Sequence, residues 1–238
     1  MMILLHRFSS RSIVHHIRTN STKVHKNFNI EYNPEKHSII YPPELIINNQ
    51  AYPTDSWTNV TPHILSHIGR NLHRQQQHPL NHLSNRLRQF FYQYYDPGRL
   101  SPKFSVIDNL PPIVTTEQNF DSVCTSIDHI SRTKSMNYYL NEKTLLRAHT
   151  SAHQVDLIRS GLNAFLCIGD VYRRDHIDPT HYPVFHQCEG VRLFNKEELF
   201  VDNRNVLGEK DNLQIFAKNG KKEKATDVSL ISLSFRTT

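Results

Sequence analysis

The amino-acid sequence predicts a soluble fold that combines helices with β-strands. Two strand-like runs, residues 164–174 and 184–194, flank a polar segment with prolines and predict a hairpin with a long loop. After Pro79, apolar residues recur at three- and four-residue spacing, as they do on one face of a helix. Two shorter strand-like runs, residues 136–140 and 144–147, precede the hairpin.

The bulk composition is typical of a globular domain. Of 238 residues, 37% are hydrophobic and 21% charged, and 28 Lys and Arg residues exceed 22 Asp and Glu residues by six. This length is sufficient for one domain with its own core. The longest apolar runs, residues 162–168 and 191–194, are far too short to cross a bilayer, so no membrane partner is expected. The basic surplus suits a polyanionic partner without requiring one.

The first 30 residues predict a mitochondrial transit peptide. Apolar residues recur at roughly helical spacing, Ser and Thr separate the basic residues, and the first acidic residue is Glu31. The basic residues are Arg7, Arg11, Arg18, Lys23 and Lys26. An acid-free, Arg-rich amphipathic start is the import pattern, and it predicts a location in the mitochondrial matrix. A disordered basic tail is the alternative.

Two helices are predicted in the first half of the chain. Thr61 followed by Pro62 is typical of a helix N-cap and the first helical position. The second helix begins near Pro79 and ends at the Asp-Pro-Gly sequence of residues 96–98. The predicted apolar faces consist of Ile64, Leu65, Ile68 and Leu72 in the first helix, and of Leu80, Leu83, Leu87, Phe90, Phe91 and Tyr94 in the second.

Two local patterns concern the second half. Ser151 and Gln154 match a capping box that opens a helix, and Gly161 is a suitable C-terminal stop for that helix. In the second strand of the hairpin, Gln187 and Glu189 are two residues apart, so their side chains are expected on one face.

Other segments are less regular. Residues 103–114 form a strand-like run with paired prolines, which favours a sheet edge or an interface. Residues 201–224 are polar. The apolar run of residues 228–235 has no evident partner in the sequence.

The cysteines and histidines predict no metal site. The cysteines are Cys124, Cys167 and Cys188. Since they are far apart and form no Cys-x-x-Cys, reduced and buried thiols are expected. His149 and His153 have the spacing of two helical metal ligands but lack the His-Glu-x-x-His order. No nucleophilic pair is expected from Cys188 and His186.

Three blocks of residues follow one another in a specific order. The first comprises residues 119–123, 128–132 and 137–140, the second residues 145–151, and the third residues 170–190. The third contains Tyr-Arg-Arg-Asp followed by Phe-His-Gln-Cys-Glu-Gly. The ordered set, from about residue 52 to 227, resembles the catalytic domain of phenylalanyl-tRNA synthetases, a class II aminoacyl-tRNA synthetase family, and their mitochondrial form most of all. Ile130, Ala152 and Cys188 depart from the family pattern.

The resemblance implies an α+β fold, a mainly antiparallel sheet flanked by helices, incomplete at the C-terminus. It implies a transit peptide at 1–30, a partial catalytic domain with motifs 1 and 2 at 31–227, and a divergent tail at 228–238. The family's third motif, a Gly-rich element ending in an arginine, has no match in this sequence. That motif and the anticodon-binding domain are therefore expected to be absent, and the alternative is a non-catalytic fragment with a binding or regulatory role or none.

The resemblance further implies a ligase that activates phenylalanine with ATP and transfers it to mitochondrial tRNA(Phe), as a monomer. Arg173 would grip the α-phosphate as the catalytic cation, because a guanidinium keeps its charge and offers a fixed fork of donors. Asp175 would lie near the adenine, and His181 would reach the ATP phosphates. Mg²⁺ would bridge those phosphates without a dedicated protein metal site.

The same resemblance assigns the amino-acid side of the site. His149 and Ser151 would bind phenylalanine, and Gln187 and Glu189 would hold its ammonium and the groups around it. A carboxylate is the natural partner of an ammonium in a partly dry pocket.

Overall fold

The computed structural model describes residues 28–35, 38–95 and 103–195, together with the backbone of three later strands between residues 214 and 237. Most of the predicted transit segment lies outside the described residues. The described chain starts with two antiparallel hairpins. In the first, β1 (Glu31–Asn33) pairs with β2 (Ser38–Ile40), and in the second β3 (Glu44–Ile47) pairs with β4 (Gln50–Pro53).

The first predicted helix is confirmed as α1 (Pro62–Leu65). The Thr61 side chain accepts a hydrogen bond from the Ile64 backbone N–H, and Pro62 occupies the first turn. Ile64, Leu65 and Ile68 are buried as predicted. Leu72 instead begins a short 3-10 turn, Leu72–Arg74.

The second predicted helix is confirmed as α2 (Pro79–Tyr95), but its predicted apolar face is only partly covered. Phe91 is buried against Phe104 and Leu166. Leu83 and Phe90 are 37% and 50% exposed, so the prediction that they face the core was wrong. The apolar stripe of α2 is wider than the surface on which the helix rests.

The main sheet has the strand order β13-β10-β9-β5. The antiparallel core is the predicted hairpin of β9 (Ala164–Tyr172) and β10 (Val184–Asn195). Strand β5 (Ser105–Ile107) pairs parallel to β9 at the sheet edge, as the prolines of this region predicted. Strand β13 (Val228–Thr237) pairs antiparallel with β10 over ten residues, so the apolar run that lacked an evident partner in the sequence has one.

A second sheet lies beside the first. Strand β8 (Thr144–Leu146) pairs with both β6 (Ile113–Thr115) and β7 (Tyr139–Asn141), antiparallel in each case. The remaining described strands, β11 (Gln214–Phe216) and β12 (Lys222–Lys224), form a separate antiparallel pair. The predicted α+β class with a mainly antiparallel sheet is confirmed.

Strand β9 is an inner strand of the main sheet, and all nine of its residues are buried. Ala164 and Leu166 pack with α2, whereas Phe165 and Cys167 pack with the helix α3 (Gln154–Arg159). Alternating residues of one strand therefore separate two layers.

The predicted stop of α3 is confirmed. Gly161 follows the helix with a positive φ of 94°, a conformation that suits glycine.

The expectation of buried thiols holds for two of the three cysteines. Cys167 and Cys188 are buried, but Cys124 is exposed, and all three are free. Burial raises the pKa of the Cys167 thiol to about 12, so this group is inert near neutral pH. In the described part of the chain, no helix is long and apolar enough to cross a membrane.

Candidate active site

A turn of four residues, Ala148 to Ser151, lies against the middle of β10 and is called the 148–151 turn below. The Thr150 backbone N–H donates to Gln187 Oε1 at 3.2 Å. The hydroxyls of Thr150 and Ser151 both donate to Glu189 Oε2, at 3.1 and 2.6 Å. Gln187 and Glu189 are 6% and 3% exposed. The prediction that they share one face of the strand is confirmed, and two hydroxyl donors fix the buried carboxylate.

The predicted capping box does not form. Residues Thr150–His153 form a 3-10 turn that leads into α3, and neither this turn nor α3 has a side-chain cap. The Ser151 hydroxyl, which a capping box would direct to the local backbone, donates to Glu189 instead. A charge-assisted hydrogen bond to a buried carboxylate is stronger than a neutral one to a backbone group, and this explains the choice.

Arg173 approaches the same turn from the end of β9. Its Nε donates to the Ala148 carbonyl oxygen at 2.7 Å, and its guanidinium carbon lies 5.2 Å from the ring centre of Phe185. The Arg173 backbone N–H donates to the Pro183 carbonyl at 2.9 Å, which closes the hairpin loop. The 148–151 turn thus contacts a cation at its first residue and a carboxylate at its last.

His149 is the second residue of this turn and lies near the Arg173 charge. Burial, with a further contribution from the nearby Arg173 charge, lowers the pKa of His149 to about 4. The imidazole is therefore neutral at physiological pH. A neutral ring can donate one hydrogen bond and accept another, and it does not compete with Arg173 for an anion.

The other two predicted site residues lie on the hairpin loop, residues 173–183. Asp175 is partly buried, and its charge contributes, after burial, to raising the pKa of Tyr138. His181 is exposed and pairs with Asp178, with 2.8 Å between His181 Nδ1 and Asp178 Oδ2.

A cavity of about 500 Å³ adjoins the loop. Its lining includes His67, Arg70, His181 and Phe185. Because Phe185 also lies beside Arg173, its ring connects this cavity with the group around the 148–151 turn.

Residues 63–218 match the family model for the class II core domain (F) of tRNA synthetases. The chain belongs to this family. It is 55% identical over 177 residues to the mitochondrial phenylalanine–tRNA ligase of Mus musculus, and the aligned region covers 74% of this chain and 38% of the relative. It is 54% identical over 162 residues to a probable ligase of the same name from Drosophila melanogaster, at 68% and 36% coverage. It is 40% identical over 176 residues to the Saccharomyces cerevisiae mitochondrial enzyme, at 69% and 36% coverage. The chain thus spans less than two fifths of the length of these relatives.

In this synthetase core, five of the seven predicted site residues come together around one turn. They are His149, Ser151, Arg173, Gln187 and Glu189. Asp175 and His181 lie on the hairpin loop, where His181 pairs with Asp178. A carboxylate and a guanidinium on opposite ends of one turn can bind a zwitterion, or a ligand with an ammonium at one end and a phosphate at the other.

The sequence-based prediction missed two contact residues of the group around the 148–151 turn. Thr150 gives both a backbone and a side-chain donor to β10, although its neighbours His149 and Ser151 were assigned. Phe185 provides the ring beside Arg173. The spacing of Phe185, Gln187 and Glu189 could have indicated this role for Phe185, since residues two apart on a strand share one face.

The described residues contain no group of three or more His, Cys, Asp or Glu side chains placed to hold a metal ion. His153, the second half of the possible zinc pair, accepts a hydrogen bond from Arg147 Nη1 at 3.0 Å.

Proposed function

We propose that this chain binds phenylalanine and ATP and joins them as phenylalanyl-adenylate, the first step of a mitochondrial phenylalanine–tRNA ligase. One observation carries the proposal: Arg173 and Glu189 contact opposite ends of the 148–151 turn. The names of the relatives support phenylalanine as the substrate and tRNA(Phe) as the acceptor of the second step.

Glu189 is the proposed partner of the phenylalanine ammonium. The Thr150 and Ser151 hydroxyls both donate to Oε2, and these two hydrogen bonds orient the carboxylate. A carboxylate that is already oriented loses little further freedom when the ligand arrives. Gln187 is held in the same way through its Oε1, so its amide N–H₂ group can donate to the substrate.

Arg173 is the proposed catalytic cation. In the reaction, a carboxylate oxygen of phenylalanine attacks the α-phosphorus of ATP, and the bond to the bridging oxygen of pyrophosphate breaks. Negative charge builds up on the α-phosphate, and a fixed guanidinium stabilises it without a change in protonation. The hydrogen bond from Nε to the Ala148 carbonyl oxygen holds the guanidinium in place beside the turn.

The loop residues are proposed to act on the rest of the nucleotide. Asp175 would contact the adenine, and His181 would contact the distal phosphates at the cavity that it shares with Phe185. Mg²⁺ would enter with ATP, bound by phosphate oxygens and water. The relatives support a mitochondrial location, and we place the reaction in the matrix, with the protein acting as a monomer.

Phenylalanine-dependent exchange of labelled pyrophosphate into ATP tests the proposal, together with calorimetric binding of a non-hydrolysable phenylalanyl-adenylate analogue. Wild type should show both. Arg173→Ala should weaken analogue binding by at least about tenfold, since a hydrogen bond to a charged group contributes roughly 1.5–3 kcal/mol. Arg174→Ala is the matched control, because the neighbouring side chain is exposed and donates to the Lys134 carbonyl instead.

Two results would contradict the proposal. Absence of analogue binding to wild type would refute the site itself. Analogue binding without any exchange would refute catalysis by this chain and support a binding module in its place.

A further inference from the structure

Arg147, the residue directly before the 148–151 turn, is a buried cation that the proposed reaction does not use. It is 1% exposed. Its Nη2 donates to Asp170 Oδ1 at 2.9 Å, and its Nε donates to the Asp170 carbonyl at 2.7 Å. Its Nη1 donates to the Leu110 carbonyl at 3.3 Å and to His153 at 3.0 Å. One side chain therefore ties β9 to segments on both sides of the turn.

The surrounding residues are adapted to this guanidinium. A Cβ atom added at Gly169 would lie 2.1 Å from Arg147 Nη2, so no other residue fits at that position while the cation is in place. The Tyr172 hydroxyl donates to the second carboxylate oxygen of Asp170. Burial, followed by the Arg147 charge, lowers the pKa of His153 to about 4, which keeps that ring neutral and able to accept from the cation.

The backbone around Arg147 is anchored as firmly as its side chain. The Arg147 N–H donates to the Pro112 carbonyl at 2.8 Å, and its carbonyl accepts from the Tyr172 N–H at 2.9 Å. The next residue, Ala148, donates to Asn119 Oδ1 at 3.0 Å and accepts from Arg173. The start of the turn is thereby fixed relative to β9, and the end of the turn contacts β10.

We infer that Arg147 is a positioning residue that sets the place of the 148–151 turn, and through it the spacing between Arg173 and Glu189. Its effect falls on recognition of the α-ammonium, because the Thr150 and Ser151 hydroxyls that orient Glu189 belong to this turn. Arg147 touches none of the reacting atoms. The inference rests on the proposed function and adds a residue that determines specificity for an amino acid over its des-amino analogue.

A purely structural role makes a different prediction. Breaking a buried ion pair destabilises the fold but need not alter ligand preference. The two roles therefore differ in one measurable quantity, the ratio of dissociation constants for two ligands that differ only in the ammonium.

Calorimetric titration with phenylalanyl-sulfamoyl-adenosine and with its 3-phenylpropanoyl counterpart, which lacks the amino group, measures this ratio. The wild-type chain should prefer the amino ligand by about tenfold or more, the expected effect of a hydrogen bond to a charged group. Arg147→Met should reduce the preference to within about twofold of unity. Arg147→Lys, which keeps the charge but not the multiple contacts, should give an intermediate ratio.

Two further variants guard against trivial explanations. Gly169→Ala leaves Arg147 in the sequence but displaces its guanidinium, and should lower the ratio as Arg147→Met does. Leu45→Ala removes a fully buried side chain of the β3–β4 hairpin, and should lower the unfolding temperature while leaving the ratio unchanged.

The inference is overturned if the Gly169→Ala and Arg147→Lys variants fold and keep the wild-type ratio of dissociation constants, whatever the result for Arg147→Met. It is equally overturned if Leu45→Ala lowers the ratio as far as they do. Failure of the proposed function looks different, since wild type itself would then fail to bind the amino ligand or would show no preference for it.

Discussion

Two acid–base pairs, each with its carboxylate on the β9–β10 hairpin, illustrate two ways of fixing a site. In the body of the hairpin, Asp170 of β9 pairs with Arg147, which lies 23 residues earlier in the segment after β8, and the Arg147 and Asp170 side chains are 2% and 7% exposed. On the hairpin loop, His181 and Asp178 are three residues apart, and their side chains are 45% and 44% exposed. The first pair joins separate segments, whereas the second organises only its own turn.

The hydrogen bonds of Asp178 on the loop are also local. Asp178 Oδ1 accepts from the Thr180 backbone at 2.7 Å, from the Thr180 hydroxyl at 2.8 Å and from the His181 backbone at 2.8 Å. These contacts form an Asx-type turn that requires no distant partner. The residues proposed for the amino acid are therefore held by the tertiary structure, whereas His181, which is proposed for the distal phosphates, is held by a local turn. The following predictions test this contrast, from the largest expected effect to the smallest.

Loss of the buried carboxylate should have the largest effect. Asp170→Asn leaves the Arg147 cation buried without a countercharge, and should lower the free energy of unfolding by about 3–5 kcal/mol. Urea unfolding followed by circular dichroism measures this. A midpoint equal to that of wild type would show that the body of the hairpin is no more dependent on its ion pair than the loop is.

Glu189→Gln should impair phenylalanine recognition more than stability. The amide keeps the shape of the carboxylate but loses the charge that attracts an ammonium, so binding should weaken by about 10- to 100-fold, or roughly 1.5–3 kcal/mol. Calorimetry with the adenylate analogue measures the change. Glu142→Gln, at an exposed position, is the control that should bind as wild type does.

His149 should make stability depend on pH. Its folded pKa of about 4 lies below the usual 6.5, so the unfolded chain binds a proton that the folded chain resists. The free energy of unfolding has its full value, as far as His149 is concerned, above pH 6.5. As the pH drops from 6.5 towards 4, the protonation of this residue in the unfolded chain lowers it by about 1.4 kcal/mol per pH unit. His149→Gln should remove that part of the slope in urea titrations between these limits. The exposed His82→Gln variant should keep the wild-type slope.

Phe185 lies between the two regions, beside Arg173 and in the wall of the loop cavity. Phe185→Leu removes a cation–π contact of about 0.5–1 kcal/mol while keeping an apolar group, and should weaken ATP binding about two- to fivefold. The Michaelis constant for ATP in the exchange reaction reports it. Phe90→Leu, on the exposed face of α2, should leave that constant unchanged.

The loop pair should contribute least to stability. Asp178→Asn removes the charge of an exposed pair and should not measurably shift the urea midpoint, because exposed ion pairs are screened and add little. A shift comparable to that of Asp170→Asn would break the contrast between the two regions.

Features that depend on neighbours in the chain were predicted correctly from the sequence. The hairpin strands were expected at 164–174 and 184–194 and are found at Ala164–Tyr172 and Val184–Asn195. Alternation along a strand was sufficient to place Gln187 and Glu189 on one face. The Thr61 cap was equally visible, because its donor lies three residues away.

Features that depend on distant partners were decided only by the tertiary structure. The Ser151 hydroxyl could serve a local cap or a carboxylate 38 residues away, and the sequence pattern favoured the wrong one. The exposure of Leu83 and Phe90 depends on the area that the sheet offers to α2, and the ten-residue partnership of β13 depends on the free edge of β10. Local patterns fix which way a side chain leaves its own strand or helix. Whether that side chain then contacts the core, a carboxylate or water depends on distant segments that folding brings next to it. The sequence of a single strand or helix does not identify those segments.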